Sequence, residues 1–114
     1  MTMTLTAELP SPTPEDLEFQ HRIRVALKNA GFMQVVRHPT YGSVECAGYE
    51  LGPRGRLEYT EHVPDRALRA TQQQRMKIMY TMCTVYAAVL DAAGFKITEK
   101  VTGLTNRPYL TVER

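Results

Sequence analysis

Apolar residues recur at helical spacing in two stretches of the chain and alternate with polar residues in the stretches between. The first helical stretch follows Thr13-Pro14-Glu15-Asp16. A hydroxyl at the N-cap, a proline at the first helical position and two carboxylates in the first turn all suit backbone N–H groups that lack partners. Its predicted core face is Phe19, Ile23, Ala26, Leu27 and Ala30, with His21, Arg24 and Lys28 on another face. Gly31 is the expected stop, because glycine enters the left-handed conformation without strain and lets Phe32 pack back on the helix. Phe32 to His38 is rich in β-formers, and Pro39 ends the run.

Ser43 to Leu51 and Arg56 to Val63 read as a hairpin around Gly52-Pro53-Arg54-Gly55, with Pro53 suited to a type I turn and Gly55 to a left-handed residue. In the first of these strands the apolar positions change phase, from Val44 and Cys46 to Tyr49 and Leu51, which predicts a bulge at Ala47 to Gly48. The return strand places Leu57, Tyr59 and Val63 on one face and Glu58, Thr60 and His62 on the other. Asp65 to Ala70 is expected to form a separate short turn, and Thr71-Gln72-Gln73-Gln74 opens a long helix running to about Ala93. Ala93-Gly94-Phe95 repeats the earlier stop signal, and Phe95 to Thr102 with Arg107 to Glu113 forms a closing hairpin. The predicted order is α-β-β-β-α-β-β. The fold class is α+β, with an antiparallel sheet and two helices packed on one face. Residues 1–13 form an acidic, Pro-rich leader expected to be disordered, and residues 14–114 a single domain.

The long helix carries more apolar surface than one sheet contact uses. Stepping about 100° per residue, Gln72, Met76, Met79, Met82, Cys83, Tyr86, Leu90 and Ala93 cluster together, flanked by Ile78, Val85 and Val89 on one side and by Tyr80 and Ala87 on the other. An apolar arc of roughly 200° exceeds the stripe needed to sit on a sheet, so a second surface is expected to meet it. Ile78, Met79, Tyr80, Met82, Val85, Tyr86 and Val89 are therefore the candidate interface, with a symmetric homodimer the expected assembly. Unbranched thioethers also suit surfaces that repack around varied partners.

Composition narrows the class without naming a reaction. A chain of 114 residues has room for one core, and its 14 Lys plus Arg against 12 Asp plus Glu give a net charge of +2. That charge is unevenly placed: residues 21–77 hold ten bases and five acids, whereas residues 1–20 hold four acids and no base. No window has the run of about 18 apolar residues that spans a bilayer, and the first residues lack a basic secretory start, so a cytoplasmic location without a membrane partner is expected. Cys46 and Cys83 stand far apart with no CxxC pair, and His21, His38 and His62 fall on separate elements. No metal, cofactor or catalytic set is expected from these spacings. Tyr49, Tyr59 and His62 are the residues from which an enzyme's pocket on the sheet would be built.

Arg54 and Arg56 at the hairpin tip, with Arg37 and His38 at the end of the preceding strand, form the candidate basic patch. It supports nucleic-acid binding as the alternative function. Gly52-Pro53 before a basic stretch invites comparison with double-stranded RNA-binding domains, but a single strand separates it from the second helix, and Gln72-Gln73-Gln74-Arg75 stands where that family is lysine-rich. The element order is similar to that of type III secretion chaperones, without a shared motif. This similarity implies a small dimer, paired through its long helix, that binds another protein. The expected function is thus a non-enzymatic adaptor, chaperone-like module or inhibitor of a partner protein.

Overall fold

A computed structural model of the chain describes residues 12–61 and 72–113. Helix α1 spans Pro14–Asn29, and its start is the expected capping box: Thr13 Oγ1 accepts from the Asp16 N–H at 3.1 Å while the Asp16 carboxylate accepts from the Thr13 N–H at 3.1 Å. The helix ends in a Schellman motif. Gly31 (φ +91°) donates to the Lys28 carbonyl and Phe32 to that of Leu27, both at 2.9 Å. Helix α2, Gln72–Ala92, ends identically, with Gly94 (φ +92°) donating to Asp91 at 3.0 Å and Phe95 to Leu90 at 3.0 Å. Each joint drops a phenylalanine onto the other helix: Phe32 meets Tyr86 edge-on at 5.3 Å, and Phe95 meets Phe19 at 5.8 Å.

Among the described residues six strands complete the order: β1 Val36–Arg37, β2 Val44–Cys46, β3 Gly48–Leu51, β4 Arg56–Thr60, β5 Lys96–Val101 and β6 Pro108–Glu113. The α+β class holds, with one strand more than the pattern predicts and two antiparallel sheets in place of one. The expected strand from Ser43 to Leu51 breaks at Ala47, where the apolar phase changes, so that β2 pairs with β1 alone and β3 enters the larger sheet. The run from Phe32 to His38 likewise forms only the two-residue β1. Before it, the chain crosses β3, with the Val35 N–H donating to the Tyr49 carbonyl at 2.9 Å and the Tyr49 N–H to that of Met33 at 3.1 Å. Gly48 permits this crossing, because a Cβ there would collide with the backbone of Met33 to Val35.

The larger sheet has the order β3-β4-β6-β5. Its core face presents Tyr49, Leu51, Leu57, Tyr59, Leu110, Val112 and Ile97, which join Phe19, Ile23 and Leu27 of α1 and Cys83, Tyr86 and Leu90 of α2 in one cluster. Burying aliphatic and aromatic side chains of this size stabilises by roughly 1.5–3 kcal/mol each. Of the face predicted for α1, Ala30 is exposed, while Gln20 is buried and donates to the Pro53 carbonyl at 3.1 Å, holding the β3–β4 turn against the helix. Among the described residues no helix is long and apolar enough to cross a membrane. The leader up to Ser11, the short turn at Asp65 to Ala70, and His62 and Val63 of the return strand lie outside the described residues.

Candidate functional site

The two sides of α2 differ in what they meet. Met79, Cys83, Tyr86 and Leu90 point into the core, and Met82 and Val89 pack against it. Met79 and Tyr86, two of the predicted interface residues, are therefore core residues: seven helical positions cannot share one outward face when α1 and the sheet cover the helix from two sides. On the α1 side, the N-terminal half of α2 stays open among the described residues. Ile78 is 48% exposed and Val85 half-buried, and a shallow depression of about 520 Å³ is walled by Gln74, Lys77, Ile78, Thr81 and Met82.

The opposite flank of α2 faces β5. Two further depressions, of about 520 and 280 Å³, share Glu99 and follow β5 along its length; Ala87, Ala88 and Asp91 wall one, Tyr80, Thr84 and Val101 the other. Tyr80 is 43% exposed, and its hydroxyl donates to the Asn106 carbonyl at 3.3 Å, linking α2 to the β5–β6 turn. Leu104, at the tip of that turn, is 99% exposed. The sequence pattern reached this flank through Tyr80 and Ala87 but did not single out β5. Its signal was the run Lys96-Ile97-Thr98-Glu99-Lys100-Val101, whose lysines on one alternate set are typical of a sheet edge, but which strand is the edge depends on strand order.

The predicted basic residues do not form a free cationic patch. The Arg37 guanidinium grips the Glu50 carboxylate through Nε at 3.0 Å and Nη2 at 2.8 Å and donates from Nη1 to the Gly42 carbonyl at 2.8 Å, tying the loop after β1 to β3. Thr60 Oγ1 donates to the same carboxylate at 2.8 Å. The Arg37 hydrogen bonds hold Glu50 below the usual carboxylate range, with Thr60 adding to the effect and partial burial opposing it. His38 Nδ1 accepts from the backbone N–H groups of Thr40 and Tyr41 at 3.1 and 3.2 Å, and its ring stacks on Tyr41 at 4.7 Å. Arg56 lies 4.0 Å over the Tyr109 ring with Glu58 at 3.6 Å. Arg54 stands exposed at the β3–β4 turn.

Tyr49 and Tyr59, expected to line a pocket on the sheet, both pack in the core, and of the two Tyr49 also reaches the wall of a depression, the one beside His21, Arg24 and Lys28. Tyr49 meets Tyr86 at 6.2 Å, and burial pushes the phenols of both upward. Burial likewise raises the Cys83 thiol, whereas Cys46 is exposed. His21, Arg24 and Lys28 do come together, rimming a depression of about 510 Å³ floored by Val25, Phe32 and Met33. Among the described residues no group of three His, Cys, Asp or Glu side chains is placed to hold a metal ion. Comparison with protein-family models, with curated proteins and with solved structures gave no match.

Proposed function

We propose that this chain is a non-enzymatic protein-binding domain, an adaptor, chaperone-like module or inhibitor of a partner protein, that works as a homodimer paired through α2. The observation that carries the reading is the apolar flank on the N-terminal half of α2, where Ile78, Met82 and Val85 stand at helical spacing and Ile78 is 48% exposed among the described residues. A second copy suits this flank. Antiparallel pairing of two α2 helices about a dyad between Thr81 and Met82 sets Ile78 of each against Val85 of the other, and Lys77, the charged residue among the described residues that wall the depression, is carried away from the seam. The rigidity of α2, which is anchored by four buried residues, favours the same reading because little order is lost on pairing.

Sedimentation equilibrium of the full chain tests the assembly. A dimer is expected at micromolar concentration, and Ile78→Asp, which buries a carboxylate against Val85 of the other copy, is expected to give a monomer with an unchanged circular dichroism spectrum. A wild-type chain that stays monomeric up to millimolar concentration would overturn the reading. Dimerisation resting on this apolar flank should also tolerate salt.

A further inference from the structure

Among the described residues the strand β5 lies at the edge of the larger sheet, and its outward backbone groups can be assigned. The Thr102 N–H donates to the Arg107 carbonyl at 3.0 Å, one step beyond the Val101–Pro108 pair that ends the antiparallel β5–β6 ladder, and this bond sets the phase of the ladder. Hydrogen-bonded pairs alternate, which directs the backbone groups of Lys96, Thr98 and Lys100 toward β6 and those of Ile97, Glu99 and Val101 toward the open edge. Two further observations agree. Pro108, which has no N–H, stands opposite Val101 where none is needed, and the N–H of Val112, opposite Ile97, turns away from β5 to donate to the Gly55 carbonyl at 2.8 Å.

We propose that β5 is a docking site for an extended peptide of a different protein, which adds to the sheet as an antiparallel strand and carries acidic side chains on one alternate set. The three outward N–H and C=O pairs supply the main-chain bonds, and the depressions beside α2 receive alternate side chains. The residues of β5 state the chemistry they fit. Ile97 and Val101 on the core face call for apolar partners beside Ala87 and Tyr80, Glu99 between them for a basic one, and Lys96 and Lys100 on the outer face for carboxylates. The strand already paired with β5 follows part of this pattern, with Val112 opposite Ile97, Thr111 opposite Thr98, and Glu113 opposite Lys96 at 3.8 Å.

A second copy of β5 does not fit. In a symmetric antiparallel pair that keeps the core faces together, the register centred on Glu99 sets two carboxylates opposite each other, and that centred on Thr98 sets Lys96 against Lys100. These are the registers with the greatest overlap. The edge is thus suited to a foreign strand and protected against its own. The inference rests on the protein-binding role proposed above but not on the dimer.

The test uses the full-length chain and a synthetic peptide, Val-Glu-Lys-Thr-Val-Glu, with a fluorescent label for anisotropy and without one for nitrogen-15 NMR titration. Saturable binding is expected, with the amides of Ile97, Glu99 and Val101 gaining protection from hydrogen exchange. Val101→Pro removes an outward N–H while sparing the β6 ladder and should weaken binding about tenfold. Glu99→Lys should weaken this peptide and favour one with Glu in place of its Lys, which keeps the test valid if the proline variant unfolds. No binding at millimolar peptide, equal binding by Glu99→Lys, or protection confined to residues near Ile78 would overturn the proposal. So would edge-amide protection that appears with rising protein concentration alone, since the occupant would then be a second copy.

Discussion

Glu50 is the residue on which the outer face of the sheet is organised. It stands directly opposite Glu58, an arrangement that repels, and Arg37 on one side and Arg56 on the other offset the repulsion. Because the hydrogen bonds from Arg37 and Thr60 favour the ionised form, the Glu50 carboxyl titrates below its ordinary value of 4.5. A carboxyl whose folded-state value is lowered contributes stability above its unfolded value, and that contribution disappears as the pH falls through the folded value. Glu50→Gln should therefore melt at a lower temperature than the wild type at pH 7, with the two melting curves converging as the pH is taken down from about 5. A difference in melting temperature that persists unchanged into acid would show that Glu50 acts through packing, not charge. The same residue explains why the basic patch read from the sequence dissolves. Composition counts Arg37 as a free cation, but its partner lies 13 positions away on another strand, and no local pattern records that pairing.

Elements marked by local chemistry were legible; those marked by distant contact were not. The capping box at Thr13 and the two Gly-Phe joints are fixed within six residues of sequence, and each appears where the residues place it. The turn glycine Gly55 also takes its expected left-handed conformation, with φ +77°. In contrast, the split of one predicted strand into β2 and β3 follows from the crossing of Met33 to Val35 over Gly48, a tertiary event of which the sequence carried only the phase change. Gly48 is thus the joint between the small sheet and the large one. Gly48→Ala would force a methyl into backbone atoms that cannot rotate aside, and a loss of about 1–3 kcal/mol in urea denaturation is expected. Hydrogen exchange should quicken first at the amides of Val35 and Tyr49, which bridge the crossing. Unaltered protection at those two amides would mean that the crossing does not depend on the absence of a side chain.

At the scale of the whole molecule, α2 separates two surfaces. Ile78 and Val85 lie on the flank shared with α1, Thr84 and Ala87 on the flank that faces β5, and the buried row of Met79, Cys83, Tyr86 and Leu90 runs between them. The width of the apolar arc was legible in the sequence, but its division was not, because helical spacing gives angles about an axis and says nothing of which neighbour fills each sector. This separation makes the two proposed interactions independent. Substitutions at sites that share no partner usually add, so Ile78→Asp should abolish dimerisation while leaving peptide affinity within about twofold, and Val101→Pro should do the reverse. Anisotropy titration of each variant, paired with sedimentation equilibrium, measures both quantities on the same samples. If Ile78→Asp also lost the peptide with its helix content intact, the two flanks would be coupled through α2, and dimerisation would be a condition for opening the β5 edge. A dimer that survives Val101→Pro while peptide binding falls would place self-association and partner recognition on opposite sides of one helix.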